Sequence, residues 1–296
     1  MKNLMKYIMT AAIALVSLGA IAQNGHEISV YAGGGIGGLN PKSTNIFTID
    51  KKNKAGTNFG IGYAYNFTES LALVSGIDFT MYKSEFELEG FDGNYFTKDA
   101  EEDRVKFMYD GKGYHESLKA TYLNIPIMVR YSYHIDKSWG LYVSAGAKIG
   151  FRMSAKYNNT LQSLSTKGAY VQWGEGTDIP VIEDLPEQGF GEFSNLSSDG
   201  SLKLKTRISA AAELGARYAI GEKYAVYLGG YIDYTLNNIR GDEADSFMKY
   251  NQSNPSEIIL NSLVGSFHKR NMESKEFLNK LRPISIGLKV QFAFYL

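Results

Sequence analysis

The chain has 296 residues, 31 basic and 31 acidic side chains, 44% hydrophobic residues and no cysteine. Disulfides, thiolate catalysis and cysteine-held metals are therefore excluded, and a balanced charge gives no electrostatic reason to expect nucleic acid as a partner. The 21 Tyr, 16 Phe and 31 Gly against only 6 Pro favour a protein of many strands, with Tyr suited to surfaces that are half apolar and half wet.

Residues 1–22 read as a secretory signal peptide. Lys2 and Lys6 precede an apolar run from Tyr7 to Ala22 that closes on Ala20-Ile21-Ala22, which predicts cleavage between Ala22 and Gln23. The run is short of the roughly 20 residues that a spanning helix needs. Without Lys2 and Lys6 the expected mature chain, 23–296, carries 29 basic and 31 acidic residues, a net charge of −2.

Eight segments of alternating polarity follow, at about 26–38, 56–67, 70–82, 118–133, 139–153, 205–220, 223–239 and 282–296. One parity is apolar in each, as in Leu141, Val143, Ala145, Ala147, Ile149 and Phe151. The last, Ile284 to Leu296, alternates without exception, so a one-residue slip would exchange Val290 for Gln291 and the register is strongly specified. Short turns at Thr68-Glu69, His134 to Ser138 and Gly221-Glu222 alternate with long loops at 39–55, 83–117, 154–204 and 240–281. This asymmetry predicts an all-β, eight-stranded closed antiparallel transmembrane β-barrel with short periplasmic turns and four long extracellular loops, both termini lying on the periplasmic side.

Aromatic placement agrees with that topology. Tyr65, Phe67, Tyr131, Tyr133, Tyr218, Tyr224, Phe292 and Phe294 collect at the periplasmic end of the apolar parity, and Phe79, Met81, Phe151 and Tyr234 at the outer end, as girdles should. The opposite parity carries Glu27, Asp78, Glu213 and Asp233 against Arg130, Lys148, Arg152, Arg207, Arg217 and Lys289. In a lumen just wide enough to be filled by side chains, these charges should pair. A structural network of Asp78, Arg130, Lys148, Arg152, Glu213, Arg217, Asp233 and Lys289, and a plugged lumen, are the expectation.

Other motifs carry less. Gly33 to Gly38 contains G-x-G-x-x-G, but Leu39-Asn40-Pro41 opens a loop where that fingerprint needs a helix. His26, His115, His134 and His268 lack metal-ligand spacing and read as solvated. Asp92, Asp110, His115, Ser117 and His268 form no diagnostic catalytic pair, and Glu101-Glu102-Asp103 reads as a solvated acidic loop rather than a calcium site. No catalytic, cofactor-binding or metal residue is expected, and no cofactor. In the fourth loop, Ile259, Leu263 and Phe267, then Phe277 and Leu281, recur at four-residue spacing after Pro255 and predict one or two short amphipathic helices over the barrel mouth. The third loop, with Gly174-Glu175-Gly176 and Gly189-Phe190-Gly191, reads as flexible and exposed.

The run Tyr122-Leu123-Asn124-Ile125-Pro126-Ile127-Met128-Val129-Arg130-Tyr131 resembles the proline-bearing strand of the PorT-like outer-membrane β-barrel family (outer membrane protein beta-barrel domain). Gly140 to Phe151 is similar to the glycine-bearing strand after it, and Tyr231 to Ile239 to the penultimate strand. The resemblance implies an integral outer-membrane barrel without catalytic residues and, for some members, a part in secretion and gliding machinery. By its own chemistry Pro126 removes a ladder donor and should lie at a bulge or a locally unpaired position.

Together these features predict a multi-pass outer-membrane protein, not an enzyme, with a structural, adhesive or envelope-assembly role through its loops. The alternatives are a small transport or ligand-binding barrel, a PorT-type secretion accessory and, third, a soluble lipocalin-like binder. Expected partners are outer-membrane lipid and lipopolysaccharide, the barrel-assembly machinery and an unknown protein reached through the loops, with no nucleic acid. The terminal residues Phe292, Phe294, Tyr295 and Leu296 are the expected assembly signal, with Phe294 or Tyr295 as its aromatic.

Overall fold

The computed structural model describes residues 25–44, 46–174 and 179–296; Ala22 and Gln23, and with them the cleavage site, lie outside the described residues. Eight long strands close into a ring: β1 (His26–Gly38), β2 (Asp50–Asn66), β3 (Leu71–Lys98), β4 (Arg104–His134), β5 (Trp139–Ala169), β6 (Arg207–Ile220), β7 (Tyr224–Thr235) and β8 (Ile284–Tyr295). Each pairs antiparallel with its neighbour in sequence, and β8 closes on β1 from Glu27↔Tyr295 to Gly38↔Ile284. Closure leaves no free edge within this ring. Along the terminal strand, Val290 faces Ala32 on one side and Leu228 on the other, which is the register its alternation demands.

The faces are turned inside out relative to a water-soluble protein. Leu214 and Leu288 are each 67% exposed while Asp78 is fully buried. A continuous exposed belt of Leu, Ile, Val and aromatic side chains is stable only against hydrocarbon. The soluble lipocalin-like arrangement, with the apolar parity inward, is overturned by this facing. Tyr65, Phe67, Tyr131, Tyr133, Tyr218, Tyr224 and Phe292 ring one end of the belt, where Trp139 joins them, its ring 4.8 Å from that of Tyr218.

Local chemistry fixes the tight turns at this end. Thr68 Oγ1 accepts the N–H groups of Ser70 and Leu71, and Asp136 Oδ1 those of Ser138 and Trp139 at 2.7 and 2.8 Å. These two bonds hold the Asp136 carboxyl below the usual carboxylate range. Gly221 supplies the positive φ, 65°, that the third turn requires. Within β1, a Cβ on Gly35 would stand 2.0 Å from the Ile286 carbonyl oxygen, so close strand approach and not nucleotide binding accounts for the glycine run. The ladder between β3 and β4 runs Ser75↔Ile127 and then Asp78↔Asn124; it lapses opposite Pro126, which has no N–H to give.

On the outer side the chain departs from the expected irregular loops. β3 and β4 run on through 83–117 to a five-residue turn, and β5 runs on to Ala169, pairing with Gly191–Ser201 between Lys156 and Thr166. The alternation persists there with its meaning reversed. In the wall Asp78 points in and Phe79 out. From Tyr82 upward the inward residues are Tyr82, Phe86 and Leu88, all buried, and the outward ones are Lys83, Glu85 and Glu87. The strand has left hydrocarbon for water, so its apolar side turns inward.

The fourth loop contains no α-helix. Ile259–Leu260, Ser266–Arg270, Glu273–Glu276 and Leu278–Leu281 are short strands, with a single 3-10 turn at Leu263–Gly265 capped by Ser262. Gly265 and the β-branched Ile258, Ile259 and Val264 oppose a helix that would be marginal at this length. The covering role survives the change of form, because Leu263, Val264, Phe277 and Leu281 are buried. They join Phe91, Phe107, Tyr114, Leu161 and Phe247 in one apolar core across the barrel mouth. Phe190 is fully buried in that core, so the Gly189-Phe190-Gly191 segment is not the exposed loop expected; of Gly174-Glu175-Gly176, residues 175 and 176 lie outside the described residues.

Candidate functional site

Alternation along eight strands aims the polar parity into the lumen, and the charges there meet in layers. Nearest the short-turn end, Arg130 clamps Glu27 with two parallel bonds of 2.9 and 2.6 Å. Tyr227 donates to the same carboxylate at 2.9 Å, and the Arg130 guanidinium lies 4.9 Å from the centre of its ring. Arg217, half-buried, donates to the Tyr295 hydroxyl at 3.0 Å, which stands 2.9 Å from that of Tyr227. Next, Lys289 pairs with Glu213 and its ammonium lies 4.7 Å from the Tyr31 ring centre. Above them Lys148 bridges Asp233 at 3.0 Å and Asp78 at 3.3 Å. Asp78 also accepts from Thr80 at 3.1 Å and from Asn124, and Arg207 donates to Asn124 at 2.6 Å and to Tyr82.

Arg130, Lys148, Glu213, Asp233, Asp78 and Lys289 are thus all buried and ion-paired. Two residues of the expected network stand apart. Arg217 meets tyrosines at the mouth and, among the described residues, no carboxylate. Arg152 is exposed and donates to the Leu202 carbonyl at 2.8 Å; Tyr122 of β4 stands beside it on one side, but the ladder to β6 has already ended at Gly150 and Arg207 on the other. Tyr31, Tyr82, Asn124 and Tyr227 complete these layers; their one sequence signal is the parity they share with the charges.

These layers divide the free space. A mouth of about 670 Å³, lined by Arg130, His134, Lys137, Arg217, Tyr227 and Tyr295, opens at the short-turn end. Beyond the Arg130–Glu27 clamp lies a pocket of about 20 Å³ among Lys148, Glu213, Lys289 and Gln291, room for roughly one water. A further concavity of about 870 Å³ is on the outer wall among Ile28, Phe59, Ile61, Ile77, Phe79 and Phe292, where hydrocarbon lies against the protein.

The outer cap has its own polar anchor. Glu116 of β4, fully buried, accepts from Ser262 Oγ at 2.5 Å, from the Leu263 N–H at 2.9 Å and from the Tyr114 hydroxyl, tying the fourth loop to the barrel. Burial outweighs these three donors and pushes the Glu116 carboxyl up to about 6. His268 is buried, not solvated as expected, with neither ring nitrogen hydrogen-bonded among the described residues. It packs edge-on against Phe47 at 5.0 Å, and burial draws its pKa below the ordinary histidine value. Neither group had a sequence signal beyond its place among apolar neighbours.

The remaining candidates are dispersed. Asp92 faces Asp110 across β3 and β4 and pairs with Arg270 at 3.3 Å; His115 stands 3.6 Å from Glu87. His26 bonds the Tyr63 hydroxyl at 2.6 Å. Ligand atoms of Asp99, Glu101 and Asp103 lie within 4.8 Å of one another, but Asp99 spends its oxygens on the N–H groups of Glu101 and Asp103 and on the Tyr170 hydroxyl. At the chain end, Phe292 and Phe294 face outward, whereas Tyr295 turns to the lumen mouth and the Leu296 N–H bonds the His26 carbonyl at 2.9 Å.

No curated protein is similar enough to this chain to be matched. Among solved structures, Neisserial surface protein A aligns at 9% identity over 90% of this chain and 95% of that one, with a TM-score of 0.32. OprG of Pseudomonas aeruginosa aligns at 11% identity over 93% and 97%, also at 0.32. Ail, the attachment invasion locus protein of Yersinia pestis, aligns at 12% over 92% and 99%, at 0.27. Scores this low add nothing to the closed ring described above, which stands on its own strand pairing. A family model described as outer membrane protein beta-barrel domain matches residues 21–241, and the chain belongs to that family of outer-membrane β-barrels.

Proposed function

We propose that this protein is a non-enzymatic outer-membrane component with a sealed lumen, acting through its outer cap in adhesion, surface structure or envelope assembly. The observation that carries this reading is the double closure of the barrel: buried ion pairs fill the wall-level lumen, and a continuous apolar core closes the mouth above it. A transport path would have to break both. Planar-bilayer recording of the purified protein tests the seal, with silence or only rare, brief openings expected; large, steady conductance refutes it.

A finer reading, a PorT-like accessory of a secretion assembly, rests on the resemblance of the Pro126 strand and would use the same outer or periplasmic surfaces. Crosslinking in intact envelopes separates it from a free-standing adhesin, since an accessory is recovered with assembly subunits and an adhesin is not. The outward-facing Phe292 and Phe294 are the part of β8 best placed to meet the barrel-assembly machinery during insertion.

A further inference from the structure

Three lysines stand in one transverse row on the outer wall. Lys83 of β3 is the direct partner of Lys119 of β4, and Lys119 that of Lys156 of β5; all three are exposed. Neighbouring strands are about 4.8 Å apart, so three like charges occupy roughly 10 Å of surface, an arrangement that repels itself. Among the described residues none of the three has an ion pair or side-chain hydrogen bond. Lys52 and Lys54 on neighbouring β2 are, by contrast, neutralised by Glu87 at 2.9 Å and Glu85 at 2.7 Å.

The height of the row is informative. Lys83 is the first outward residue of β3 after Met81, where the strand leaves hydrocarbon. Directly beneath the row, Thr121 and Ser154 lie in register with Met81, and below them the wall is apolar. A cationic row edged by hydroxyls, one step above a surface that acyl chains cover, matches a lipid whose headgroup carries phosphate monoesters and whose tails lie on the wall.

We propose that Lys83, Lys119 and Lys156 form a binding site for a phosphomonoester-bearing headgroup of an outer-leaflet lipid. The anion converts the self-repelling row into a bridged one. The site is independent of what the cap recognises, since it needs only the membrane placement of the barrel.

The test uses the full-length protein in phosphatidylcholine nanodiscs, with diphosphorylated lipid A as probe and retained lipid counted by native mass spectrometry. Each lysine near an anionic lipid surface contributes about fivefold in affinity, so K83Q/K119Q/K156Q should retain lipid A roughly a hundredfold more weakly. K137Q, which removes an exposed lysine at the short-turn end, should leave retention unchanged. In nanodiscs without lipid A the triple variant should unfold at the same or a higher temperature, because repulsion is relieved; with lipid A only the parent should gain stability. If the triple variant fails to insert, K119Q alone carries the test with a fivefold loss. Equal retention by parent and variant overturns the proposal, as does equal retention of lipid A stripped of its phosphates. Inorganic phosphate alone protecting the three lysines from acetylation as well as lipid A does would also overturn it, by assigning the row to a free anion.

Discussion

Lys148→Met is the sharpest test of the lumen. Lys148, Asp78 and Asp233 are 3%, 0% and 1% exposed, and their 3.0 and 3.3 Å contacts are each worth roughly 5 kcal/mol at an effective dielectric near 20. Asp78 has further donors in Thr80 and Asn124, whereas Lys148 is the one ion-pair or side-chain hydrogen-bond partner of Asp233 among the described residues. Removing the ammonium therefore strands Asp233 above all. Loss of one member of a buried ion pair costs about 3–5 kcal/mol, and that loss is expected in urea unfolding followed by heat-dependent gel mobility. Asp233→Asn alone should cost less, because Lys148 keeps Asp78. The Lys148→Met/Asp233→Asn double variant should recover about 1–3 kcal/mol relative to Lys148→Met. A Lys148→Met cost below about 1 kcal/mol, or strictly additive single and double variants, would mean that the lumen is wet enough to screen these charges and that the plug is not electrostatic.

The facing of β8 is tested by Val290→Arg, which should impair folding into bilayers by about 2–4 kcal/mol near the midplane, while Gln291→Ser, losing only a 3.4 Å contact to Glu27, should stay below about 1 kcal/mol; equal effects would contradict the assignment. The cap should respond to pH in two opposed ways, read as hydrogen exchange across residues 259–270. Glu116, pushed up to about 6 from an ordinary 4.5, stabilises the folded cap in its protonated form, so about 2 kcal/mol is lost as pH rises between those values. His268, drawn below 6.5, withdraws stability as pH falls below that value. His268→Leu should therefore leave a cap that weakens only as pH rises, and Glu116→Gln one that weakens only as pH falls; either variant keeping the parent's profile removes that residue from the account.

The wall was legible in the sequence because one rule, apolar outside and polar inside at period two, holds from Ile28 to Phe294. It gave the strand count, the ring order, the register of β8 and the parity of Glu27, Asp78, Lys148, Glu213 and Lys289. It could not give the pairing of Lys148 with both Asp78 and Asp233, which come from β3 and β7, 155 residues apart in register-independent segments. Nor could it place Arg152, whose exposure depends on where β6 happens to begin. That 83–117 and 154–204 are largely strand, and not the loops expected, has the opposite cause. Lys83, Glu85 and Glu87 alternate as regularly with Tyr82, Ser84, Phe86 and Leu88 as the wall residues do, but the sign of the alternation reverses on leaving the membrane. The apolar outward row therefore ends at Met81 although the strand continues to Lys98. That inversion point is a marker of membrane height, and it recurs on the next two strands between Leu123 and Lys119 and between Phe151 and Lys156. The same three positions carry the unpaired lysine row, so the point where the pattern stopped being readable as a membrane strand is also where the barrel presents its charge to the outer leaflet.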